Sequence, residues 1–148
     1  MTQQILVPID GSASARKALA HAVLVQQATQ AWIHLLHVPE IPVATDALGA
    51  MVGASPADYT PEKGRLTGER LLAEAWRAVS GGSDEVTYHV EEGRPAHVIV
   101  QLATNLGVDM IVMGSRGQSN LKSLMVGSVS HKVSHIAPCP VITLHIPD

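Results

Sequence analysis

The stretch Asp109-Met-Ile-Val-Met-Gly114-Ser-Arg116-Gly117-Gln-Ser-Asn-Leu-Lys-Ser-Leu-Met-Val-Gly127-Ser128-Val129-Ser130 decides how the rest of the chain is read. It opens on a short apolar run, Met110 to Met113, which is bounded by polar residues and reads as a buried strand. Gly114 and Gly117 follow at once; after nine further residues Gly127 and Ser128 precede a helical pattern. Strand, glycine turn and helix start together can build an anion site. Glycine lets backbone N–H groups approach a phosphate with no Cβ in the way. The first turn of a helix adds N–H donors and a partial positive charge. Ser128 is expected at the N-cap, with its hydroxyl turned to the site. The spacing Gly-x2-Gly-x9-Gly-Ser is neither a P-loop, since no Gly-Lys-Ser/Thr occurs, nor a G-x-G-x-x-G fingerprint. Spacing alone leaves a plain-turn reading open, because glycines end strands and helices in many folds.

Working outward, the segment Met113 to Ser130 resembles the nucleotide motif of the universal stress protein family. Ile5-Leu-Val-Pro8-Ile-Asp10-Gly-Ser12 resembles that family's first strand and turn, and Ala137-Pro-Cys-Pro140-Val-Ile its last. The likeness runs through nearly the whole chain in the right order.

Composition agrees with a compact α/β protein. A chain of 148 residues is expected to hold one domain, 1–148, with no room for a second core. Apolar residues make up 46% and charged residues 16%, which excludes disorder. Phe is absent, so the core must be aliphatic, as suits parallel strands covered by helices. A net charge of −3 gives no basic footprint, so no nucleic-acid partner is expected. The lone Cys139 rules out an intrachain disulfide. No secretory leader is evident and no apolar run reaches ~18 residues, so no membrane span and a cytoplasmic location are expected.

In chain order, strand 1 is expected over Gln4 to Ile9, with Asp10-Gly11-Ser12 as its exit turn. Helix 1, capped by Ser12 or Ser14, runs to about Ala28, and Leu19, Ala22 and Val23 form its inner stripe. Strand 2 is Trp32 to Val38. Residues 39–59 break the rhythm; they are either an insertion or a lid or partner surface. Helix 2 starts at Thr60-Pro61, an N-cap followed by proline, and stops at Gly81-Gly82. Strand 3, Glu85 to Val90, alternates as an edge strand does. Gly93-Arg94-Pro95 opens helix 3, with Ile99, Leu102, Ala103 and Leu106 on one face. Strand 4 is Asp109 to Met113, a loop with one helical turn spans 118–126, helix 4 runs from Ser128 to about Ile136, and strand 5 is Pro140 to His145. Alternating strands and helices imply a parallel sheet with helices on both faces. The family resemblance implies a single open five-stranded sheet of order 3-2-1-4-5. Its switch point then lies between strands 1 and 4, where ligands bind at the carboxyl ends.

At that point the resemblance implies an ATP site. The phosphates would rest on backbone N–H groups of Gly117, Gly127, Ser128 and Val129, with hydroxyls of Ser128 and Ser130 donating as well. Arg116, between the first two glycines of the motif, is the cation expected at the phosphates, and Lys122 reads better as a solvated loop residue. Neither neutralises a triphosphate, so Mg²⁺ chelated by the phosphates is expected. Asp10 reads as a ribose acceptor or as an Asx-turn cap, and the two roles are compatible. Pro8 and Val38 would wall the adenine, with Met113 beside it and the Gly114 N–H or C=O at the ribose edge. His34 and His37 read as hydrogen-bonded strand residues, and His97 as a weak approach to the same crevice. His131 and His135 have helical spacing but no third ligand, and a solvated pair suits them better than a metal site. Cys139 reads as a packed residue.

No nucleophile–base pair stands out, so no catalytic residue is assigned and an ATP-binding regulatory protein with at most slow hydrolysis is expected. A genuine nucleotide hydrolase, or a dimeric ligand-binding protein that does not use nucleotide, is the alternative. The protein partner is unknown. Strand 5 is apolar and lacks a lysine guard. The resemblance implies a homodimer paired through Val141, Thr143 and their neighbours in that strand.

Overall fold

A computed structural model describes residues 2–40, 59–115 and 127–146. The described elements are β1 (Gln4–Pro8), α1 (Ala13–Thr29), β2 (Trp32–His37), α2 (Pro61–Val79), β3 (Val86–Val90), α3 (Pro95–Leu106), β4 (Met110–Gly114), α4 (Ser128–Ile136) and β5 (Val141–Leu144). The five strands form one sheet in the order β3-β2-β1-β4-β5. All four neighbouring pairs are parallel. Residues 41–58 and 116–126, with the expected loop turn and Lys122, lie outside the described residues.

The near-continuous apolar runs of the central strands follow from burial on both faces. Ile5 and Val7 of β1, with Ile9 just after it, lie on one side, where they meet Ala18, Leu19 and Ala22 of α1 and Leu72 and Trp76 of α2. Leu6 points to the other side, with Ile99 and Ala103 of α3 and Val133 of α4. Gln26, one helical turn beyond Val23 of the α1 stripe, is buried too, and its Nε2 donates to Glu85 O at 3.0 Å.

Local chemistry sets the helix ends. Of the two serines proposed to cap α1, Ser12 does so: its Oγ accepts from Ala15 N at 3.1 Å. Ser14 is buried instead, and its Oγ donates to Leu144 O at 3.2 Å. Thr60 caps α2 by accepting from Lys63 N, with Pro61 in the first turn. Gly107 closes α3 at φ 63°, a left-handed conformation that glycine adopts without strain. Gly68, mid-helix in α2, has a packing reason. A Cβ there would lie 2.8 Å from Val90 Cγ1 and 3.1 Å from His37 Cδ2, so the helix reaches the sheet only without one.

Candidate functional site

Because β1 lies between β2 and β4, its exit sits at the point where chain connections diverge to opposite sides of the sheet. A cavity of about 410 Å³ opens there. Pro8 and Asp10 reach it from the end of β1, Val38 from the end of β2, and Met113 and Gly114 from β4. Gly127, Ser128, Val129 and Ser130 reach it from the start of α4. Every described residue proposed for the site therefore lines this one cavity. Arg116 and Gly117 lie outside the described residues.

The serine expectations need correction. The N-cap of α4 is Gly127, not Ser128, and no side chain caps the helix. Ser128 is the first helical residue and is exposed. Ser130 is 2% exposed, and its hydroxyl donates to Ser115 O and Gly127 O, each at 3.0 Å. Its one proton is committed to backbone carbonyls rather than offered to the cavity. The Gly127 N–H is committed as well, since it donates to Ser115 O. The amides of Ser128 and Val129, in the first turn, have no acceptor within the helix.

Ser115, which sequence reasoning passed over, organises this end of the site. Its N–H donates to Leu144 O at 2.9 Å, and its carbonyl takes both the Gly127 and the Ser130 donors. Ser115 Oγ also lies 3.3 Å from His145 Nδ1. The exits of β4 and β5 and the start of α4 are thus joined at one buried residue. Its only sequence signal is its place between Gly114 and Gly117.

Gly114 belongs to β4 itself, and its reason is steric. A Cβ there would fall 2.7 Å from the carbonyl carbon of Ser14 and 2.8 Å from its Cβ. The missing side chain lets α1 settle on β4. At the β1 exit, Asp10 Oδ1 accepts from Ser12 N at 2.9 Å, which is the Asx turn considered for it.

His37 and Glu40 line the cavity although neither was proposed for it. Their placement follows from register: Leu36 lies opposite Pro8, so the residues after it leave the sheet beside Ile9 and Asp10. His97 is not among the lining residues; it is exposed, and α3 meets the cavity with Pro95 and Ile99.

The other histidines behave as strand and helix residues. His34 Nδ1 lies 3.0 Å from His89 Nε2, and His34 Nε2 lies 2.7 Å from Gln4 Oε1. Burial lowers the pKa of both rings; for His34 the neighbouring His89 lowers it further, while for His89 Glu91 opposes the shift. His131 and His135 are exposed on α4, with His135 Nδ1 donating to His131 O at 3.0 Å. Among the described residues no three His, Cys, Asp or Glu side chains gather to hold a metal. Burial, and then Asp109, push the Cys139 thiol pKa up, which disfavours the reactive thiolate. No helix among the described residues is long and apolar enough to cross a membrane.

An open parallel sheet with a cleft at its switch point, floored by strand exits and closed by a helix start, defines a class of ligand-binding α/β proteins. Comparison narrows the class. The sequence profile of the universal stress protein family matches residues 1–145, and the chain belongs to that family. It is 40% identical over 152 residues to the universal stress protein YxiE of Bacillus subtilis, covering 96% of this chain and 98% of that one. The solved structure of MJ0577, from Methanocaldococcus jannaschii, matches with a TM-score of 0.79 at 26% identity, covering 100% of this chain and 99% of that one. A universal stress protein solved in complex with cAMP shares the fold, with a TM-score of 0.69 at 22% identity over 97% of each chain.

Proposed function

We propose that this universal stress protein is a regulatory nucleotide-binding protein. It holds ATP in the β1/β4 cleft, with Mg²⁺ on the phosphates, and turns it over slowly if at all. The observation that carries this reading is one cavity of about 410 Å³ that unites Pro8, Asp10 and Val38 with Met113, Gly114 and the start of α4. These residues come from opposite ends of the sequence. The volume lies in the roughly 300–1,000 Å³ range of small-molecule sites. The cAMP complex of a protein with this fold is in keeping with an adenine nucleotide here.

Asp10 accepts from the ribose hydroxyls. A carboxylate has roughly four lone-pair sites, so its Asx turn leaves capacity for them. Pro8, Val38 and Met113 wall the base. The phosphates rest on the Ser128 and Val129 amides, where the helix dipole adds about 0.3–1 kcal/mol. Ser128 Oγ, Gly117 and Arg116 complete that end; a charged hydrogen bond from Arg116 would add roughly 1.5–3 kcal/mol. The described lining holds two carboxylates, Asp10 and Glu40, and no lysine or arginine, so a triphosphate needs its own counterion. Mg²⁺ fits in that role: it keeps several waters and binds chiefly through phosphate oxygens, which requires no protein cage. The protein would also pair with a second copy through Val141 and Thr143 of β5, the terminal strand next to β4.

The test is a denaturing extract of purified protein, chromatographed for bound nucleotide and followed by Mg-ATP titration, beside a Gly117→Val variant. Adenine nucleotide bound by the natural protein and lost in the variant is expected. A flat titration of both would overturn the proposal.

A further inference from the structure

β3 ends the sheet on the side away from β5, with β2 on its paired side. In a parallel pair the backbone groups of a strand alternate between the two sides. Ile33 N–H donates to Glu85 O, and Glu91 N–H donates to His37 O, so Glu85, Thr87, His89 and Glu91 bond inward to β2. Val86, Tyr88 and Val90 therefore turn theirs to the open edge. Asp84 O takes the Val86 N–H at 2.9 Å. Among the described residues, the Val86 carbonyl, the Tyr88 N–H and carbonyl and the Val90 N–H stay open to a further strand. Val86 and Tyr88 also border a cavity of about 390 Å³ that reaches Trp76 and Arg77 of α2. None of these residues lines the β1/β4 cleft.

Charge decides which strand fits. Asp84 and Glu85 precede β3, Glu91 and Glu92 follow it, and all four are exposed. Among the described residues none of the four forms an ion pair. Arg77 acts on Tyr88 from the α2 side and is outnumbered. A second copy pairing antiparallel about Tyr88 would set Asp84 opposite Glu92 and Glu85 opposite Glu91. Like charges directly opposite destabilise a sheet, so this edge repels its own copy. A strand with cations at both ends of an apolar middle meets the opposite sign at the same places. We propose that the β3 edge is a docking site for an extended basic segment of a partner protein, added to the sheet as a further strand. Backbone hydrogen bonds to Val86, Tyr88 and Val90 hold the segment, and the cavity beside Tyr88 takes one of its side chains.

Fluorescence anisotropy on the full chain tests this with a labelled peptide, Lys-Lys-Val-Thr-Val-Thr-Val-Lys-Lys, beside a counterpart in which every Lys is Glu. The basic peptide should bind and the acidic one should not. A Glu85→Lys/Glu91→Lys double variant, altered only at exposed side chains, should bind the basic peptide about tenfold more weakly, as the loss of two surface pairs and the gain of two repulsions imply. Hydrogen exchange should show the Tyr88 and Val90 amides protected by the basic peptide. No binding of that peptide, equal binding of the acidic one, unchanged affinity in the double variant, or binding without protection at Tyr88 overturns the inference. Protection at Tyr88 that rises with protein concentration in the absence of peptide means that a second copy takes the edge, and overturns it too.

Discussion

Replacing Gly114 with alanine separates a packing role from a ligand role at the centre of the motif. The new Cβ would meet the carbonyl carbon of Ser14 at 2.7 Å and its Cβ at 2.8 Å. Carbon atoms rest about 3.5–4.0 Å apart, so the two segments must separate by roughly 1 Å. Ser14 Oγ obstructs as well and could rotate away, but the carbonyl carbon and Cβ of Ser14 are fixed to α1 and cannot. Relief has to come from lifting the helix that seats Ala15, Ala18, Leu19 and Ala22 in the core. Overpacking of this kind costs about 1–3 kcal/mol. For a domain of this size that corresponds to a melting temperature lower by about 2–12 °C. Thermal unfolding followed by circular dichroism, on nucleotide-free protein, reads the effect directly. Adding Ser14→Ala should not restore the loss, because the carbonyl carbon and Cβ stay in place and the hydrogen bond to Leu144 O is removed. Unchanged melting of nucleotide-free Gly114→Ala would refute the packing argument and leave the glycine serving ligand approach alone.

The remaining expectations concern other parts of the molecule. Burial holds the His34 and His89 pKa values below the ordinary 6.5, so the folded protein binds protons there less readily than the unfolded chain. Their stability contribution is therefore complete above that value and declines as pH falls below it and through the lowered values. The urea midpoint should drop between pH 7 and pH 5, and His89→Gln should flatten the drop; equal slopes would count against the pair. Ser130→Ala removes the donor to Ser115 O and Gly127 O and should destabilise the protein by about 1 kcal/mol in urea unfolding. If that variant lost ATP affinity with no loss of stability, the hydroxyl would be a ligand contact after all. Sedimentation at micromolar protein should give a dimer mass, and Thr143→Lys, on an exposed β5 position, should shift it to monomer.

Much of the fold was legible because alternation of apolar runs and helical stripes depends only on near neighbours in sequence. The described strands and helices fall within a residue or two of their expected limits. The strand order came from the family resemblance, since periodicity does not say which strand lies beside which. What escaped depends on partners distant in sequence. Gly114 looks like a phosphate-approach glycine until Ser14, a hundred residues earlier, is seen against it. Ser130 looks like a phosphate donor until Ser115 O is seen to take its proton. Ser128 was expected at the N-cap because serine suits that position, but glycine suits it nearly as well, and Gly127 takes it. Glu40 and His37 were hidden by the β1–β2 register, which alone brings them beside Asp10.

The central place of β1 also sets an order in time. Its partner on one side, β2, follows within about thirty residues, but its partner on the other side, β4, is made only after residue 110. A growing chain that has left the ribosome only as far as α3 holds β1 with one edge unpaired and no α4 to close the cleft. Pairing of such distant segments is slow, and an open parallel edge invites other chains. The nascent protein is thus most exposed to aggregation just before β4 and α4 emerge.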